Sequence, residues 1–175
     1  MPVDVRLLQH AVLPAFMTRA EGLAMDDPAS TPEQAANCCP ACGNSITAEP
    51  LASAGDNPCP HCDHLLWFVR RSGDGVVVLT FLPGLMLASE SRERIDDVTD
   101  ALRGSSQVIL DLSQLQILSS IFLGLLVALH RRIESTEGKM KICGLQPDVR
   151  EVFKMTKLEE LLDIREDEQE ARASF

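Results

Sequence analysis

The sequence predicts an α/β protein: a sheet with parallel neighbours, covered by crossover helices and preceded by a small zinc-ribbon-like β segment. Three observations predict this. From Gly73 onward the stretches run hairpin, helix, strand, helix, strand, helix, an alternation that signals parallel strands joined by helices. Hydrophobic residues make up 45% of the 175, with six Phe, one Trp and no Tyr, so the core is sizeable and mainly aliphatic. Five of the six cysteines fall within residues 38–62, ahead of that alternating region.

Taken in order, residues 1–24 place Leu7, Leu8, Ala11, Val12, Ala15 and Phe16 at helical spacing, with Pro14 inside the pattern, so any helix there is weak. Met25 opens the polar run "MDDPASTPEQAAN", which reads as linker and would serve equally well as a start. "LLWFVRR", the turn "SGDG" and "VVVLTFL" form a hairpin stopped by Pro83 and Gly84, and "LML" is a short further strand. Residues 89–103 carry Ile95, Val98, Ala101 and Leu102 at helical spacing and are closed by Gly104. "QVILDL" is a buried strand, and Ser119 or Ser120 opens a helix to about Glu134 with Arg131 and Arg132 on its exposed end.

"KMKICGL" is the next strand, and Pro147 stands in the first turn of a helix whose apolar face is Val149, Val152, Phe153 and Met155. "LLDI" ends the pattern, and "REDEQEARASF" is expected to be a solvated, frayed acidic tail. Cys143, Met140 and Met155 suit core positions, His10 and His130 are isolated and solvent-facing, and Asp111 bonds nearby loop amides. The chain thus divides into a flexible segment and linker (1–37), a ribbon (38–68), an α/β domain (69–165) and a tail (166–175). Ribbon and α/β domain are expected to fold separately, with the 65–71 strand as boundary.

Composition excludes several functions. The formal net charge is −10, and no basic run is interleaved with aromatics, which speaks against a nucleic-acid backbone as partner. The longest apolar run, 117–129, contains Ser119, Ser120 and Gly124 and falls short of the ~20 residues of a spanning helix. The N-terminal stretch lacks the compact apolar block and small-residue cleavage site of a signal peptide. A cytoplasmic protein without membrane insertion is expected, and cysteines there are metal ligands more often than disulfides. No nucleophile–base pair, phosphate loop or carboxylate dyad can be assembled, so no enzyme is expected.

The cysteines form two knuckles, Cys39-Pro-Ala-Cys42-Gly and Cys59-Pro-His-Cys62-Asp, sixteen residues apart. Two thiolates spaced by two residues grip one ion from a tight turn, and C-x₂-C-x₁₅₋₂₀-C-x₂-C is a zinc signature. Proline presets φ after the first cysteine, and Gly43 and Asp63 tolerate the left-handed backbone that turns amides towards sulfur. Four thiolates leave no open coordination position, so the site is structural. Cys38 is a spare thiol, and His61 and His64 are inferior ligands. A redox dithiol pair, unligated cysteines and iron are the alternatives. The knuckles are similar to those of zinc ribbons in many unrelated proteins, which implies a fold element and no function.

The stretch "VILDLSQLQILSSIFLGLLVALHRRI" sets two serines between greasy runs. A helix cap accounts for one of them. The stretch also resembles the STAS domain of the anti-sigma-factor antagonists, in which a strand ending Leu-Asp-Leu-Ser is followed by a spacer and by Asp-Ser-Ser/Thr-Gly-Leu-Gly opening a helix. Counted from Asp111, Ser119 takes the place of the motif aspartate and Ser120 that of the phosphoacceptor, with Ser119 as the alternative acceptor. Ile121 and Phe122 depart from the motif; Leu123 and Gly124 match it. "GLQPDVREVF" is similar to the family's last turn and helix, and the likeness covers residues 73–165.

The resemblance implies a STAS-type mixed sheet and a non-enzymatic switch. Its partner would be an anti-sigma factor with serine protein kinase activity, with a phosphatase restoring the unmodified form. Ser119, Ser120, Ile121, Phe122, Leu123 and Gly124 would meet the partner, and Phe122 would narrow which partners approach. Two other readings compete: a non-phosphorylated STAS scaffold of a larger signalling complex, favoured by the altered motif, and a zinc-ribbon nucleic-acid binder, disfavoured by the charge.

Overall fold

A computed structural model describes residues 36–46, 58–83 and 92–175, which belong to one compact unit. The N-terminal helix with His10, the loop between the knuckles and the "LML" strand lie outside the described residues. β1 (Phe68–Gly73) and β2 (Val76–Phe81) form the expected hairpin. Its two-residue turn is Asp74–Gly75, with φ of 53° and 78°; this doubly left-handed geometry suits the twist of a hairpin and favours Asp-Gly. Helix α1 (Arg92–Ala101), β3 (Gln107–Asp111), α2 (Ser120–Glu134), β4 (Lys139–Cys143) and α3 (Pro147–Met155) follow as the alternation predicts.

With a short fifth strand, β5 (Asp163–Ile164), the sheet order is β1-β2-β3-β4-β5. The first pair is antiparallel and the others parallel, so the mixed α/β sheet is as expected. Alternation along each strand separates two faces. Val77, Leu79 and Phe81 of β2, with Val108 and Leu110 of β3, enter the main core with side chains of α1, α2 and α3. Val76, Val78, Ile109 and Cys143 point the other way into a smaller cluster.

Several expectations about local structure and burial are overturned here. "LLDI" does not simply end the pattern: Asp163–Ile164 form a fifth strand, β5, in parallel register with Lys141 and Ile142. The acidic tail is not solvated throughout, because Glu168–Ala173 form α4. Asp167 caps that helix by accepting from the Glu170 amide at 2.8 Å, and Ala171 is buried in the smaller cluster. Glu168 reaches Arg71 at 2.6 Å, tying α4 to β1. Met155 is 76% exposed: Val149 and Phe153, four residues apart, are buried, and Met155 lies about 200° further round the helix. His130 is buried at 8% exposure; it follows Leu126 by four residues on the inward face of α2, with Nε2 3.3 Å from Glu134. Met140 and Cys143 are core residues, as expected.

Lys141 is the unusual residue of the second face. It is only 4% exposed, is paired with Asp163 and lies 5.1 Å from the centre of the Phe175 ring. Partial burial pulls the Asp163 carboxyl up, but the Lys141 ammonium and the Arg165 guanidinium outweigh it and hold the group below its ordinary 3.8. A depressed carboxylate contributes stability above its unfolded pKa and loses it as pH falls through the folded one. We therefore expect Asp163→Ala to cost about 1–3 kcal/mol near neutrality by stranding a buried ammonium. The variant should also lose less stability than wild type between about pH 5 and pH 2. Denaturant titrations across that window check both; equal acid sensitivity would count against the pairing.

Candidate functional site

The two knuckles are built alike. Gly43 donates to Cys39 O and Asp63 to Cys59 O, both at 2.9 Å, while Cys39 donates to Asn44 O at 2.9 Å and Cys59 to His64 O at 2.8 Å. Closing so tight a turn requires the left-handed φ of Gly43 (73°) and Asp63 (57°). The turns bring the four sulfurs together: Cys39 and Cys62 are 3.8 Å apart, Cys42 and Cys59 are 3.8 Å apart, and all four lie within 4.8 Å of one another. A tetrahedral zinc with ~2.3 Å bonds to sulfur has edges of ~3.8 Å, whereas a disulfide needs ~2.05 Å. The four thiols therefore fit a metal and are not paired as disulfides.

The sulfurs differ in their hold on a proton. The Asn44 amide brings Cys42 down to about 6, whereas burial raises Cys39. At Cys62 the His64 amide pulls down, but loss of water and the neighbouring sulfurs overcome it and push the thiol up to about 12. Neither His61 nor His64 joins the cluster, and among the described residues no other group of His, Cys, Asp or Glu converges in this way.

The knuckles rest on the sheet. Cys38 donates to Arg70 O at 2.8 Å and accepts from the Arg70 amide at 3.1 Å, extending the sheet beyond β1. Cys39, Ile46, Cys59 and Leu66 bury together with Val69 of β1 and with Leu82, so the 65–71 stretch serves both the cysteine knuckles and the sheet.

At the far end of β3 the loop into α2 is held by the side chain expected to hold it. Asp111 accepts from the Ser113 amide at 3.0 Å and from the Thr80 hydroxyl at 3.1 Å. Gln146 donates to Ser113 O at 2.8 Å, joining the loops after β3 and β4. Gly144 must be glycine there: its φ is 73°, and a Cβ would stand 2.8 Å from that of Ser113. These contacts place the start of α2 at the carboxyl edge of the parallel strands, where open α/β sheets present their ligand crevices.

Ser119 is the cap. Its backbone is extended (φ −81°, ψ 156°), and its hydroxyl accepts from the Phe122 amide at 3.2 Å. Ser120 is the first helical residue and is exposed. We expect Ser119→Ala to cost about 0.5–2 kcal/mol, the usual worth of a cap. A chemical denaturation curve checks it, and an unchanged midpoint would remove the cap from the account.

Around Ser120 the expected partner residues separate. Ile121 (55% exposed) and Gly124 face outward, and Leu123 is half-buried against the core. Phe122 does not face outward. It is 3% exposed, and its ring meets that of Phe81 edge-on at 5.1 Å, so it belongs to the core and cannot screen partners. Ile117, 69% exposed, lies beside this turn and was missed by sequence reasoning; as part of a greasy run it gave no sign of its orientation.

Fold and site together define a mixed α/β sheet whose edge presents a hydroxyl-capped helix start. The model of the STAS domain family matches residues 71–171, and the chain belongs to that family. Among curated proteins it is similar to BtrV of Bordetella bronchiseptica, named as an anti-sigma factor antagonist: 29% identity over 73 residues, covering 42% of this chain and 63% of the relative. The chain thus spans less than two thirds of that relative's length. Among solved structures it is similar to the Thermotoga maritima protein TM1081, solved by NMR (22% identity, 68% of this chain, 95% of that one, TM-score 0.57). It is also similar to an anti-sigma-factor antagonist domain protein from Planctomyces limnophilus (23% identity, 61% and 96%, TM-score 0.54). Among the described residues no helix is long and apolar enough to cross a membrane.

Proposed function

We propose that this STAS protein is a cytoplasmic anti-sigma-factor antagonist, acting by binding and not by catalysis. Its partner is an anti-sigma factor with serine protein kinase activity. One observation carries this reading: Ser120 stands exposed at a helix start, beside the outward-facing Ile117 and Ile121. The two isoleucines offer apolar anchorage, and the hydroxyl is the group that modification changes. The first turn of α2 holds no acidic residue to repel a phosphate. Phosphorylation of Ser120 adds roughly −1.5 to −2 charges at pH 7, which opposes docking of an apolar surface; a phosphatase reverses it. The similarity to proteins named as anti-sigma factor antagonists supports the partner class.

In the ribbon, Cys39, Cys42, Cys59 and Cys62 hold one structural Zn²⁺, a reading supported by sulfur spacings that suit a tetrahedral ion. The ribbon (38–68) and the STAS domain (from 69) act as two parts of one regulatory protein, and the net charge of −10 disfavours a nucleic-acid role for the ribbon.

The test is a pull-down from the native host followed by titration of the captured partner. Ser120→Ala should bind as tightly as wild type, and Ser120→Asp at least about tenfold more weakly, since charge at a docking surface is costly. Equal binding of Ser120→Asp, with no phosphoserine in protein from native cells, would defeat the switch. A second reading, a STAS scaffold without phosphorylation, is favoured by Ser119 standing in the motif aspartate's place. Light scattering coupled to size-exclusion chromatography of the captured complex separates a small switch from a large assembly.

A further inference from the structure

We infer that metal occupancy of the four-cysteine site governs the order of the helix start that carries Ser120, through the packed rings of Trp67, Phe81 and Phe122. The inference rests on the proposed metal reading of the four thiols. The two sites are joined by the backbone at Leu66–Trp67 and, beyond it, by ring contacts. Cys59 is fully buried against Leu66, Val69 and Leu82. Trp67 follows Leu66 directly, and its carbonyl accepts from the Leu82 amide at 2.9 Å. Its ring stands edge-on to Phe68 at 4.9 Å and lies 5.7 Å from Phe81. Phe81 meets Phe122 edge-on at 5.1 Å, and the Phe122 amide is the one that Ser119 caps.

The ribbon supplies the two-state element that such coupling requires. A small metal-held segment is closed when loaded and open when stripped, because its binding energy is its folding energy. Opening releases the backbone pair between Cys38 and Arg70 and the bridge between Pro58 and Leu65. It also removes the ribbon side of the Cys59–Leu66–Val69–Leu82 cluster. Trp67 and Phe68, the next residues along the chain, then lose the fixed backbone that enters β1, where Phe68 pairs with Phe81. Phe81 in turn holds Phe122 only as firmly as its own neighbours hold it. Interiors packed at crystal density pass such a displacement on, so the first turn of α2 loosens when the ribbon opens.

The chain carries its own reporter, since Trp67 is its single tryptophan. Full-length protein is compared zinc-loaded, stripped with a chelator, and stripped then given Zn²⁺ or Mg²⁺. Stripping should shift Trp67 emission and speed amide exchange across residues 119–124 by roughly threefold or more, with reversal by Zn²⁺ and not by Mg²⁺. Phe122→Leu keeps an apolar side chain in the core but removes the ring contact. It should retain the Trp67 response while losing the exchange response at 119–124. Phe81→Leu, broken one step earlier, should do the same and guards against a poorly folded Phe122 variant. Unchanged exchange at 119–124, while residues 58–66 open on stripping, would overturn the coupling and leave the metal reading intact. Elemental analysis showing no bound metal would overturn both.

Discussion

Stripping the metal, or replacing Cys59 by Ser, is expected to unfold residues 36–46 and 58–66 together while the α/β sheet keeps a cooperative transition. Ordering about twenty residues carries a backbone-entropy cost that the segment has to offset. Against that cost, the apolar residues the ribbon itself brings to its cluster are Ile46 and Leu66, beside the buried Cys39 and Cys59. Each such aliphatic side chain contributes about 1.5–3 kcal/mol when fully buried. Two aliphatic side chains do not offset that ordering cost, so the folding of this segment depends on metal binding. Cys59 is the most telling ligand to replace, because it is fully buried and also packs against Leu66 and Val69. One Zn²⁺ per chain by elemental analysis, and collapse of the knuckle amide signals on chelation, are the expected results. Knuckle amides that stay protected in metal-free protein would contradict them.

Phe122→Ala is expected to destabilise the protein by about 3–5 kcal/mol, the usual cost of removing a buried ring. Part of the loss is the edge-on contact with Phe81, since such pairs add about 0.5–1.5 kcal/mol beyond area burial. Out of a total stability of about 5–15 kcal/mol, that is a large fraction. Ser120→Ala, two residues away, should stay within about 0.5 kcal/mol of wild type, because an exposed side chain without partners contributes little. Denaturant midpoints of the two variants separate the roles plainly. Were Phe122 a surface residue screening partners, its truncation would leave stability alone and change only binding.

What the sequence determined by itself was everything decided by neighbours in the chain. A knuckle closes over five residues, so Cys39-Pro-Ala-Cys42-Gly and Cys59-Pro-His-Cys62-Asp announce their turns, down to the left-handed Gly43 and Asp63. The same locality made the Asp74–Gly75 turn, the Gly104 stop, Pro147 at the start of α3 and the pair of serines at the start of α2 legible, and with them the order of strands and helices. The tertiary structure alone decided whatever depends on residues distant in the chain. α4 has little apolar content of its own, and it is helical against the sheet because Ala171 is buried with the second-face cluster and Arg71 meets Glu168. β5 is two residues long and exists through its pairing with β4. Lys141 is buried because Asp163, twenty-two residues on, neutralises it. In the greasy run around Ser120, Phe122 turns inward and Ile117 and Ile121 outward. Hydrophobicity identifies such residues as buriable, but which of them finds an apolar surface is set by where Phe81 and the sheet stand.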